Sequence, residues 1–111
     1  MLSWLRANRR TYAPLDETPP GPAPDHRIYA VGDVHGRADL LEILLVRIEE
    51  DAVSRDDRRL PILLFLGDLI DRGDQSRKVL DLALSARLTW PQTVVLCGNH
   101  EAALLDFLKD P

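Results

Sequence analysis

The sequence predicts an α/β fold, three strands alternating with three helices in the order β-α-β-α-β-α about a parallel sheet. Three observations carry this. Short apolar runs recur as "RIYAVG" at 27–32, "LPILLFLG" at 60–67 and "QTVVLCG" at 92–98. The stretches that follow the first two place apolar residues at helical spacing. Each run also stops in the same way, on glycine followed by a short oxygen-bearing side chain: Gly32-Asp33, Gly67-Asp68 and Gly98-Asn99.

Taken in order, the first run is rich in β-branched and aromatic residues and reads as a strand. From Ala38 to about Ala52, Leu40, Leu41, Leu44, Leu45 and Ile48 share one face of a helix, with Glu42, Arg47 and Glu49 elsewhere on the wheel. The second run is apolar at every position, the mark of a strand covered on both faces. Pro61 is tolerated there because it opens the strand. A second helix is expected from about Ser76 to Leu88, with Val79, Leu80, Ala83, Leu84 and Leu88 on one side. The third strand follows, and Glu101–Lys109 reads as the start of a third helix.

Composition sets the class. The 111 residues allow one domain of modest size, and 45% apolar with 29% charged residues is ordinary for a soluble globular protein. A net charge of -4 argues against a nucleic-acid polymer as partner. No apolar run approaches the roughly 20 residues of a membrane span. A single cysteine, Cys97, cannot form an internal disulfide, which fits a reducing compartment, the cytoplasm by default. Residues 1–12 read as a loosely ordered N-terminal tail, the alternative being a partner or membrane-surface contact through Trp4 and the arginines. Residues 13–26 hold five of the eight prolines and read as a linker, with His26 exposed at its end. The domain proper is expected over 27–111.

The strand ends carry the chemistry. In open α/β sheets ligands bind outside the carboxyl ends of the strands, so neighbouring strands would bring Asp33, His35, Asp68, Asp71, Arg72, Asn99 and His100 together. Clustered aspartates repel unless cations neutralise them. Oxygen donors with imidazole and no thiolate suit Mn2+, Fe or Zn2+. Asp33 and His35, two apart, leave the strand on the same side and can reach one ion. Asp68, at the end of the central strand, is placed to bridge two ions about 3.5–4 Å apart. The planar fork of Arg72 suits a phosphoryl oxygen. His100, oriented by Asp71, could protonate a leaving oxygen. Each piece alone has a plainer explanation as a turn, a helix cap or a surface ion pair. Their coincidence at three successive strand ends is what points to a site.

The motifs "GDVHG" (32–36), "GDLIDRG" (67–73) and "GNHE" (98–101) resemble the N-terminal signatures of the calcineurin-like metallophosphoesterases. Within them they are most similar to the phosphoprotein-phosphatase branch, which includes bacterial serine/threonine phosphatases and symmetrical diadenosine-tetraphosphate hydrolases. The resemblance runs from Arg27 to about Leu108. It implies the first half of an α/β sandwich and a cofactor of two divalent ions, Mn2+ foremost. It also implies Asp33 and His35 on the first ion, Asp68 bridging, Asn99 on the second, His100 with Asp71 as general acid, and Arg72 on the phosphate. The implied reaction is direct attack of a metal-bridging water on phosphorus in a phosphomonoester, a serine/threonine phosphoprotein by preference. A dinucleoside-polyphosphate hydrolase is the alternative. A P-loop enzyme is excluded, since no GxxxxGKS/T occurs.

Two departures follow. Where the branch usually carries arginine just before "GNHE", this chain has Cys97, which cannot replace a bidentate cation. The family also completes its second ion with two downstream histidines, whereas only His26, His35 and His100 occur here. The expectation is therefore the N-terminal portion of a longer phosphoesterase. A non-catalytic metal-binding or interaction remnant is the reading from a different class.

Overall fold

The computed structural model describes Gly21 and residues 25–111. The expected tail and most of the expected linker lie outside the described residues. The element order is β1 (His26–Val31), α1 (Ala38–Ser54), β2 (Leu60–Phe65), α2 (Ser76–Thr89), β3 (Gln92–Val95) and α3 (Asn99–Lys109). The three strands form one parallel sheet in the order β1-β2-β3, so the predicted α/β class and the central place of β2 both hold. His26, read as the end of a linker, instead opens β1 opposite Leu60 and is only half-exposed. The carboxylate of Asp25, 2.8 Å from its Nδ1, offers the ring a partner there.

Register fixes which side chains face the helices. Tyr29 pairs with Leu63 and Val31 with Phe65, and on β3 Thr93 and Val95 continue those two rows. Val31, Leu63 and Phe65 are buried, and they join Ala38, Leu41 and Ile48 of α1 with Val79, Ala83 and Ala86 of α2 in the core. The small residues of α2 let it approach the sheet closely. Full burial of Phe65 or Leu63 contributes roughly 1.5–3 kcal/mol each. Tyr29 packs edge-on to Trp90, with ring centroids 6.1 Å apart. Its hydroxyl donates to Asp51 over 2.6 Å, tying β1 to α1.

Among the described residues no helix covers the other face of the sheet. Ile28, Leu60 and Val94 are exposed there, and Leu66 and Leu96 prolong the same rows beyond β2 and β3. The uniform apolarity of "LPILLFLG" signals two covered faces, and the described helices cover one. Of α3 no residue is buried, and Leu104, Leu105, Phe107 and Leu108 are exposed.

Surface ion pairs fasten the lower edge. The Arg27 guanidinium holds the Asp57 carboxyl below its usual value through paired hydrogen bonds, and Arg55, then the Tyr29 hydroxyl, do the same for Asp51. These folded-state carboxyls take up protons less readily than in the unfolded chain. Their contribution is present above the ordinary carboxylate pKa and is lost as pH falls through the folded value. Asp57→Asn should therefore lower the melting temperature slightly near pH 7, with the gap to wild type closing below about pH 4. A gap independent of pH would contradict the ion-pair origin.

Candidate metal centre

The parallel sheet sends all three strand ends to one edge, and the loops there are stitched to each other by backbone. The carbonyl of Asp68 accepts hydrogen bonds from the N–H groups of both Val34 and His35, at 3.1 and 3.0 Å. Gly36 N–H donates to the Leu69 carbonyl at 2.8 Å, and Gly73 N–H to the His35 carbonyl at 2.8 Å. A Cβ on Gly73 would stand 2.5 Å from that carbonyl oxygen, and one on Gly98 would collide with the Asp68 carboxylate. Glycine at these two positions is a demand of close approach, as its placement in the sequence suggests.

Among the described residues, four other than glycine adopt left-handed backbone: His35 (φ 47°), Asp68 (φ 51°), Asp71 (φ 68°) and Arg72 (φ 72°). All four are among the residues singled out from the sequence. Such conformations cost of order 1–3 kcal/mol each and cluster at functional sites. The hydrogen bonds between the loops hold them in place.

The donors converge as expected. One ligand atom each from Asp33, His35 and Asp68 lie within 4.8 Å of one another. His35 Nε2 stands 3.5 Å from Asp33 Oδ2. The Nδ1 of His35 is 2.9 Å from the Ile70 carbonyl, which can only accept. Nδ1 can donate to that carbonyl, which would free Nε2, the nitrogen on the carboxylate side, for a metal ion. Asn99 closes the group. With its NH2 toward Asp68 it donates to both carboxylate oxygens, at 3.1 and 3.0 Å. Turned over, its oxygen faces the same two oxygens, an arrangement that only a cation between them would stabilise. Two carboxylates, an imidazole and an amide oxygen fit a hard to borderline divalent ion.

His100 and Asp71 form the second constellation, with Nδ1 2.9 Å from Oδ2. The His100 ring lies edge-on to His35, centroids 4.8 Å apart, and its backbone N–H donates to Asp68 over 3.2 Å. Arg72 sits in the exposed loop of β2 and forms no ion pair among the described residues. Cys97 is exposed and free. His26, at the opposite end of a six-residue strand, lies about 20 Å from this edge and cannot complete the centre.

One residue does more than the sequence shows. Glu101 reads from sequence as an acidic residue favouring a helix N-terminus. In the fold α3 already begins at Asn99, and the Glu101 carboxylate accepts from the N–H groups of Gly98 and Leu69, each at 3.2 Å. The tertiary contact to Leu69 has no local signature. A cavity of about 350 Å3 beside Trp90 lies at the far end of the strands and is lined by a single acidic residue, Glu49. The titratable groups cluster instead on the open edge.

Comparison with known proteins gives this α/β sheet, with its carboxylate–imidazole edge, a family. The chain belongs to the calcineurin-like phosphoesterase family, whose model matches residues 26–110. Over 78 residues, 70% of the chain, it is 37% identical to the symmetrical bis(5'-nucleosyl)-tetraphosphatase of Xanthomonas axonopodis pv. citri. The proteins of that name from Xylella fastidiosa and Delftia acidovorans are 41% and 40% identical over the same share. The chain spans 22–25% of the length of these relatives. No solved structure matches significantly.

Proposed function

We propose that the chain supplies the first-ion site, the bridging carboxylate and the general acid of a metal-dependent phosphoesterase. The observation that carries this is the convergence of Asp33, His35 and Asp68 within 4.8 Å, with the His100–Asp71 pair beside them. Asp33 and His35 would hold one divalent ion, Asp68 would be shared, and Asn99 would serve a second; Mn2+ is the ion assigned, with Fe and Zn2+ as alternatives. When bound, such ions neutralise phosphoryl oxygens and lower the pKa of water to a useful range. His100 delivers a proton to the departing oxygen while Asp71 fixes its ring. Arg72, free of ion pairs among the described residues, takes a phosphate oxygen with its fork.

The substrate on this reading is a phosphomonoester, a serine/threonine phosphoprotein in the first instance. The names of the relatives favour a second reading with the same machinery, a dinucleoside tetraphosphate. Assay of the full-length protein with Mn2+ against p-nitrophenyl phosphate, a phosphoserine peptide and diadenosine tetraphosphate separates them. No turnover of any substrate with Mn2+, Fe2+ or Zn2+ would refute both. The lone free thiol suits a reducing compartment, and we assign the cytoplasm; no helix among the described residues is long and apolar enough to cross a membrane.

Cys97 gives a further handle. It occupies an exposed position immediately before Gly98, where a cation would add a second grip on phosphate. Cys97→Arg is expected to lower the KM for p-nitrophenyl phosphate with little change in kcat. An unchanged or higher KM would show that Cys97 does not face the substrate.

A further inference from the structure

We infer that Glu101 is a positioning residue that sets the gap between the tips of β2 and β3, and with it the affinity of the cation site shared by Asp68 and Asn99. The inference rests on the phosphoesterase reading above. Its basis is how the two carboxylate oxygens are divided. Oε2 accepts from Leu69 N–H, the peptide directly after Asp68, and Oε1 accepts from Gly98 N–H, the peptide directly before Asn99. One carboxylate thus grips the chain neighbours of both donors without touching the donors themselves. Leu69 is 2% exposed and follows the strained Asp68, so its amide has little water to turn to.

The alternatives that the side chain could offer are poorer. A carboxylate presents acceptors only, and two amides need two acceptors. Glutamine presents one oxygen and one NH2, so one amide would face another donor. Among the described residues, the tips of β2 and β3 are joined besides Glu101 by the Leu96 N–H bond to the Phe65 carbonyl, 2.9 Å, and by the bonds of His100 N–H and the Asn99 amide to Asp68 itself. The first lies below the donors, and the others depend on the groups being positioned. Glu101 is the bond between the tips that is independent of the donors and level with them.

Isothermal titration of the metal-free full-length protein with Mn2+ tests this, comparing wild type, E101Q and D68N. E101Q is expected to raise the dissociation constant about 10–100-fold, as loss of a residue supporting metal ligands does. The Mn2+ concentration for half-maximal activity should rise in parallel. The kcat at saturating Mn2+ and the KM for p-nitrophenyl phosphate should stay near wild type, a split that general loss of structure would not produce. Wild-type affinity in E101Q, with binding lost in D68N, overturns the inference alone. Absence of Mn2+ binding in wild type overturns the phosphoesterase reading and this inference with it. Should E101Q fail to fold, amide hydrogen exchange in metal-free wild type decides. Slow exchange at Leu69 and Gly98 supports the clamp, and exchange as fast as in exposed loops refutes it.

Discussion

Asp68→Asn in the full-length protein is expected to lower kcat for p-nitrophenyl phosphate by about 1,000-fold at saturating Mn2+, with the fold intact. The fold survives because Asp68 has φ 51°, and asparagine is one of the few residues that accept left-handed backbone readily. The Asp68 carbonyl, which holds Val34 and His35, is untouched, and an amide oxygen can still receive the His100 N–H. What disappears is one negative charge at the point where the donors of β1, β2 and β3 meet. Losing several kcal/mol of charge stabilisation in the transition state corresponds to about three decades in rate. Steady-state kinetics beside a thermal melt checks this. A variant with wild-type melting and more than a tenth of wild-type kcat would remove Asp68 from the chemistry.

His100→Asn should separate substrates by their leaving groups. Proton delivery by a positioned side chain contributes about 100–10,000-fold, and an alkoxide departing from a phosphoserine needs it. A nitrophenolate leaves as a stable anion and needs it far less. The variant should thus lose most activity toward a phosphoserine peptide and much less toward p-nitrophenyl phosphate. Structural damage would depress both alike. Geometry favours the clean outcome, since the backbone of His100 lies in the first turn of α3 and its ring contacts are to Asp71 and His35. Equal losses on the two substrates would deny His100 the role of acid.

The strand order, the helices and the donors at the carboxyl edge could be read from residue types because each leaves a local trace. Unbroken apolarity marks β2, the spacing of Val79 and Ala83 marks α2, and glycine before Asp33, Asp68 and Asn99 marks the turns, but Ala86 takes the buried place expected of Leu84 and Leu88, which are exposed. Boundaries were less legible: β3 ends at Val95 rather than Gly98, and α3 begins at Asn99 rather than Glu101. There the pairing of neighbouring strands decides where a ladder stops, which apolarity alone does not encode. Left-handed backbone at His35, Asp71 and Arg72 was likewise invisible. None of these is glycine, and the conformation is imposed by loops packed against each other. Glu101 was legible only in its helix-capping part, since its second partner, Leu69, is 32 positions away.

That separation bears on how the site is assembled. His35 reaches Ile70 across 35 positions, His100 reaches Asp71 across 29, and Glu101 reaches Leu69 across 32. Each bond therefore joins one strand–helix unit to the next, and none closes within a unit. The entropy of closing loops of that length is shared with the pairing of β1 with β2 and of β2 with β3. On the proposed reading the cation site is complete only in the assembled three-stranded sheet, since an isolated β1–α1–β2 piece would carry Asp33, His35 and Asp68 without Asn99 or Glu101.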